Sequence, residues 1–291
     1  MRFRGVLFFA FFFAAVNCVQ ANPGIKGDFR NQAAVLAASL DDNALAAQII
    51  LTGIDGKAAL SPFMSSLLER IPAGGIMFFK YNLDSPKADV KKLLSGASAA
   101  VTARTGIPPF MAVDHEGGLV HRFGPGVERM PSALSFWRIA QREGWSAAIA
   151  GAETTYRRSA AEISELGINM VLGPVAEILD DDNRRFLETR SYGPDPYFTQ
   201  AAAAAYIRSM EANGIASAVK HFPGNTAADP HSSLSSINAG KAALNRMVKP
   251  FAGLIRDLEP PLLMLSHVMV PALDSQRNAS LSRSVIENWL R

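Results

Sequence analysis

The chain has 291 residues, room for one large domain or two small ones, and a single α/β barrel of about 250 residues fits it well. Its 29 basic and 26 acidic residues leave a formal charge of +3. No Lys/Arg cluster interleaved with aromatics appears, so a nucleic-acid partner is not expected. The single cysteine, Cys18, excludes an intrachain disulfide and leaves a His/Cys metal centre nothing to build on; no metal or cofactor is expected.

In chain order, residues 1–21 read as a targeting segment. Arg2 and Arg4 form a positive start, residues 6–16 form a Phe-rich apolar stretch too short to span a bilayer as a mature helix, and Val19-Gln20-Ala21 fits a small-residue cleavage site. The expectation is export to the periplasm or the medium. The alternative is lipid attachment at Cys18, behind Ala15-Val16-Asn17, which would make the protein a membrane-anchored lipoprotein. Removing this segment takes away two arginines and no acid, so the charge falls to 27 − 26 = +1. The basic balance therefore belongs mostly to the leader.

Beyond it, short apolar runs alternate with longer helical stretches, the pattern of a parallel sheet. Strands are expected at 47–52, 75–79, 109–113, 168–175, 215–222 and 262–268, each a continuous apolar or β-branched run suited to burial on both faces. Helices are expected at 85–104, 146–165, 196–213 and 282–290. Ser85 is a natural cap for the first, with Pro86 at its first position, and Ala201 to Ala205 is a strong helix former in the third.

Polar groups cluster where strands end, the place α/β proteins build sites. Asp114-His115-Glu116-Gly117-Gly118 follows the third strand, with Arg122 beyond it; Glu188-Thr189-Arg190-Ser191-Tyr192 lies past the fourth. On residue type alone, the first could be an acidic turn capping the next helix and Arg190 a surface arginine. The fifth strand closes on Lys220-His221-Phe222-Pro223-Gly224, followed by Asp229-Pro230-His231. An Asp two residues from a His can orient the imidazole and stabilise its charged form, giving a proton shuttle near neutral pH. A polar surface loop is the alternative, and Ser232, Ser233, Ser235 and Ser236 suit it.

The stretch from Lys220 to His231 resembles the signature of glycoside hydrolase family 3, in its bacterial β-N-acetylglucosaminidase branch. That branch reads Lys-His-Phe-Pro-Gly-His-Gly, then Asp-Ser-His. Here Asn225 replaces a His, Pro230 replaces the Ser, and the loop is about two residues shorter. The Asp114 stretch is similar to the family's Asp-(Gln/His)-Glu-Gly-Gly-Arg-Val-Gln-Arg, with Leu119 and His121 in place of Arg and Gln.

The resemblance covers roughly residues 51–291 and implies a TIM-type (β/α)8 barrel, of which about six βα units are visible. It implies that Asp114 accepts hydrogen bonds from the hydroxyls of a non-reducing sugar with Arg122 in support. Arg190, Lys220 and His221 would donate to the same sugar, and Glu177 would be structural support. His231 with Asp229 becomes the general acid/base, on a loop from Asn225 to Ser236 expected to be exposed and mobile. The partner is then a carbohydrate containing N-acetylglucosamine, and the reaction a retaining hydrolysis. The attacking carboxylate belongs, in the family, to a Ser-Asp motif after a further strand, and no residue here matches it. The chain is therefore expected to be a fragment or truncated frame of very low activity; the alternative is a non-catalytic remnant that binds sugar weakly.

Overall fold

The computed structural model describes residues 29–229 and 233–290. The targeting segment with Cys18 lies outside the described residues, as does His231. Each of the six expected runs contains a strand, β1 (Leu51–Gly53), β2 (Gly75–Phe78), β3 (Phe110–Asp114), β4 (Met170–Val175), β5 (Ala216–Phe222) and β6 (Leu262–Leu265), although most of the first run, 47–50, is a helix end and turn. They pair in parallel in chain order, β1 to β6, and the sheet curls into a half-barrel flanked by helices.

Side chains alternate between two apolar layers, as a pleated strand requires. Ile76, Phe78, Val113, Val171 and Val219 join the core under the helices. Met77, Ala112, Met170, Leu172 and Ala218 make a separate cluster on the concave face. The central strands β2 and β4 are buried at every position, which is why their sequences carry no polar alternation. The edge strands β1 and β6 are partly exposed.

Helices Lys87–Thr105, Trp145–Glu165, Pro196–Glu211 and Lys249–Leu258 cover the convex face. The first does not use Ser85 as its cap: Pro86 takes that position without a side-chain cap bond. The helix Pro196–Glu211 is capped instead by Asp195, whose carboxylate accepts from the backbone N–H groups of Tyr197 at 2.8 Å and Phe198 at 2.9 Å. Ala202 to Ala205 are buried on it, and side chains this small let the helix lie close to its neighbours. The helix expected at 282–290 is a π-helix, Ser284–Leu290. Two features carry no apolar period and went unexpected: the antiparallel pair β7 (Met269–Val270) and β8 (Asp274–Asn278), whose second strand is wholly polar. Among the described residues no helix is long and apolar enough to cross a membrane.

Candidate active site

The strands deliver one charged cluster to their C-terminal ends. Asp114 closes β3 and Lys220 lies near the end of β5, each in phase with the concave-face residues Ala112 and Ala218. Lys220 is 2% exposed, and its ammonium sits 2.8 Å from Asp114 Oδ1 and 2.6 Å from Glu116 Oε1. Arg190 meets Glu116 as a fork, Nε to Oε2 at 2.8 Å and Nη2 to Oε1 at 2.9 Å. Arg122 approaches Asp114 Oδ2 at 3.4 Å. Four of the five residues expected to share a sugar are therefore joined in one network, and Glu116, to which the sequence reading gave no role, ties Arg190 into it.

Glu116 is 5% exposed, and burial alone would push its carboxyl up. Lys220 and Arg190 outweigh that and hold it at about 2. Burial likewise opposes the charge on Arg190, but the bond to Glu116 raises its pKa overall. The guanidinium also lies over the Phe186 ring, 5.4 Å from its centre.

His221, the fifth residue, belongs to a second network beside the first. Its Nδ1 lies 2.6 Å from Glu177 Oε1, and Asn225 Nδ2 donates to the same oxygen at 2.8 Å. Ser266 Oγ donates to Asn225 Oδ1 at 2.8 Å, and Ser191 Oγ donates to the Glu177 carbonyl at 2.6 Å. Burial lowers the His221 pKa despite the opposing pull of Glu177. A neutral ring that donates Nδ1–H to Glu177 leaves Nε2 as an acceptor. The expected support role of Glu177 thus has a definite form: it orients His221 and Asn225.

The turn carrying Asp114 and Glu116 is itself held from behind. Tyr206, on the outer helix Pro196–Glu211, donates to the His115 carbonyl at 2.5 Å. His115 Nε2 lies 2.7 Å from Ser159 Oγ, and burial, with a smaller contribution from His121, holds its pKa at about 3, so the ring is neutral. Gly117 and Gly118 take positive φ values, and a Cβ on Gly117 would stand 2.4 Å from the Pro131 carbonyl oxygen. The glycines belong to the turn, and the turn belongs to the site.

The loop from Asn225 to Ser236 departs from the expectation of exposure throughout. Asn225 and Ser235 are buried, Thr226 Oγ1 and Ser235 Oγ are 2.5 Å apart, and Ser236 bridges to Met269. Side-chain hydrogen bonds take the place of the apolar anchors the sequence lacks. Ala227, Asp229 and Leu234 are exposed, and the Asp229 carbonyl accepts from the N–H and Oγ of Ser233. His267 is exposed and lies 3.1 Å from Ser280 Oγ. Asp274 accepts from Ser282 Oγ at 2.7 Å, just past β8.

Residues 47–291 match the model of the glycosyl hydrolase family 3 N terminal domain. The chain belongs to this family. Among its family 3 relatives, beta-hexosaminidase A of Pseudoalteromonas piscicida is 28% identical over 224 residues, 75% of this chain and 36% of the relative. The beta-hexosaminidase of Methylococcus capsulatus is 33% identical over 208 residues, 70% of this chain and 58% of the relative. The chain thus spans less than two thirds of the length of these curated relatives. The fold is similar to that of NagZ from Neisseria gonorrhoeae, solved in complex with N-trifluoroacetyl-D-glucosamine. The TM-score is 0.76 at 28% identity, covering 83% of this chain and 69% of that one.

Proposed function

We propose that this chain carries the sugar-binding wall of an exported glycoside hydrolase that releases non-reducing terminal β-N-acetylglucosamine from cell-wall glycans with retention of configuration. The observation that carries the reading is the buried Lys220, which fixes Asp114 and Glu116 together at the mouth while Asp114 stays partly open to solvent. A carboxylate so fixed accepts from two neighbouring hydroxyls without reorganising. The names of the beta-hexosaminidase relatives and the glucosamine derivative bound by NagZ support the same sugar class.

In this reading Asp114 binds sugar hydroxyls, Arg122 and Arg190 steady the carboxylates and reach the sugar, and Lys220 donates from the floor of the mouth. His221 accepts through Nε2. His231, oriented by Asp229, protonates the leaving-group oxygen as the glycosidic bond breaks, then takes a proton from the water that releases the sugar. We assign no residue of this sequence to the carboxylate that attacks the anomeric carbon. Export follows from residues 1–21, with lipid attachment at Cys18 as the other route.

Saturation-transfer NMR with N-acetylglucosamine tests the binding wall. The protein should show transfer to the sugar ring protons, and Asp114→Ala should weaken binding about tenfold or more. Asp274→Ala should leave it unchanged. An absence of transfer to the unmodified protein refutes the reading. Appreciable hydrolysis of an aryl β-N-acetylglucosaminide would show that a carboxylate within this sequence performs the attack.

A further inference from the structure

Phe79 and Tyr81, just past the C-terminal end of β2, form an exposed, parallel-stacked ring pair that no role in the proposed site uses. The rings lie 5.7 Å apart at an interplanar angle of 14°, with Phe79 39% and Tyr81 52% exposed. Isolated apolar residues on a surface need no explanation, but two stacked flat rings held in place are a different case.

The pair is built rather than loose. Tyr81 donates its hydroxyl proton to the Ile54 carbonyl at 2.8 Å. Asn82 is buried below and clamps the turn: its Oδ1 accepts from Phe79 N–H at 3.0 Å, and its Nδ2 donates to the carbonyls of Ile54 and Gly56. Gly53, at the end of β1, gives the Phe79 ring its room, since a Cβ there would lie 2.9 Å from Phe79 Cε2. Both rings are therefore fixed before any ligand arrives, which lowers the ordering cost of binding.

Their place in the sheet relates them to Asp114. Phe78 pairs in register with Val113, so Phe79 follows β2 where Asp114 ends β3. Met77 and Ala112 lie on the concave face, and a two-residue step from each reaches Phe79 and Asp114. The turn bearing Tyr81 also touches the Arg122 segment, through the Gly124 N–H bond to the Leu83 carbonyl at 3.0 Å. The aromatic pair thus stands one strand over from Asp114, at the same end of the sheet.

From this we infer that Phe79 and Tyr81 are a stacking platform for a second pyranose ring, the one joined to the terminal sugar bound at Asp114. A pyranose presents a face of C–H groups that packs on flat aromatic carbon, while its hydroxyls point outward to water; Tyr and Phe supply such a surface with few rotamers to freeze. The inference rests on the proposed function and adds a specificity: glycans of two or more rings are held better than the single sugar.

The test is a pair of titrations of the protein, with N-acetylglucosamine and with its β-1,4-linked disaccharide carrying a sulfur in place of the glycosidic oxygen. The unmodified protein should bind the disaccharide more tightly. Tyr81→Leu and Phe79→Leu, which keep apolar bulk but lose the flat face, should each weaken disaccharide binding about 3- to 10-fold and leave the single sugar unchanged. Tyr81→Phe should retain the advantage. Because Phe79 packs on Gly53, the Tyr81 variants decide the matter if Phe79→Leu fails to fold. Equal affinity of the unmodified protein for the two sugars, or a parallel loss of both sugars in Tyr81→Leu, overturns the platform while leaving the sugar wall standing. If neither sugar binds, both the platform and the sugar wall are overturned.

Discussion

Two buried glutamates stand at the same end of the sheet, each two residues past a strand, and their surroundings are opposite. Glu116 follows β3 and is gripped by two cations, Lys220 and Arg190, which hold its carboxyl at about 2. Glu177 follows β4, is 2% exposed, and is met by an imidazole and an amide, while its buried Oε2 finds no hydrogen-bond partner among the described residues. The first arrangement neutralises charge and makes a wall that cannot give way cheaply. The second aims hydrogen bonds, and through Asn225 it fixes where the loop after β5 begins. One glutamate supplies rigidity and the other supplies direction.

The contrast breaks most visibly at Lys220. Lys220→Met should leave Asp114 and Glu116 crowded and partly uncompensated, and removing one partner of a buried ion pair costs about 3–5 kcal/mol. Urea unfolding measures it; a loss below about 1 kcal/mol would mean that the cluster is far better hydrated than its burial indicates.

Acid should act next, through the Glu116 cluster. The Glu116 carboxyl sits at about 2 in the fold against an ordinary 4.5, so its contribution is fully present above 4.5 and disappears as pH falls toward 2. The size is on the order of 3 kcal/mol. Glu116→Gln should flatten the acid limb of a stability–pH curve across that window. An unchanged limb would place the acid sensitivity elsewhere.

Asn225→Ala sharpens the comparison from the other side. It strips Ser266 of its acceptor and Glu177 of a donor, costing about 1–3 kcal/mol. Amide exchange at Thr226 and Ser235 should quicken while β3 stays protected; unchanged exchange there would show that the Thr226–Ser235 contact holds the loop unaided. The smallest effect is expected from Glu177→Gln, which keeps both hydrogen bonds and removes only charge. Because Glu177 pulls the His221 pKa upward against burial, the ring should titrate at still lower pH, visible in its NMR shifts. A rise instead would reverse the roles assigned here to burial and charge.

Much of this was legible in the sequence because it is written locally. The six strands announce themselves as unbroken apolar runs, and Asp114, Arg190, Lys220 and His221 stand at or beyond their ends, where the fold gathers them. Glu116 was in plain view but mute: its partners lie 74 and 104 positions away, Arg190 and Lys220, and no spacing rule connects them. Asn225 was noted only as a departure from a motif, while its bonds to Glu177 and Ser266 depend on three strand ends meeting. The loop from Asn225 to Ser236 misled at its ends for the same reason, since Thr226 and Ser235, polar residues that suggest a solvated surface, fasten them together. The polar strand β8 pairs by backbone alone and left no periodic trace.

Tyr206 gives the convex layer a hold on the chemistry of the concave one. Its hydroxyl reaches past Gly173 to the carbonyl lying between Asp114 and Glu116 in the chain, so the height of a surface-side helix above the sheet is transmitted to the carboxylates as a displacement. Widening the alanine face of that helix, for instance by Ala203→Val, would act as a shim under the whole assembly. Such a change is expected to register as weakened sugar binding before it registers as a lowered melting temperature, and the reverse order would show that the hydroxyl merely follows the backbone it touches. For anyone engineering this scaffold, the helix bearing Tyr206 is part of the proposed binding site despite lying on its far side.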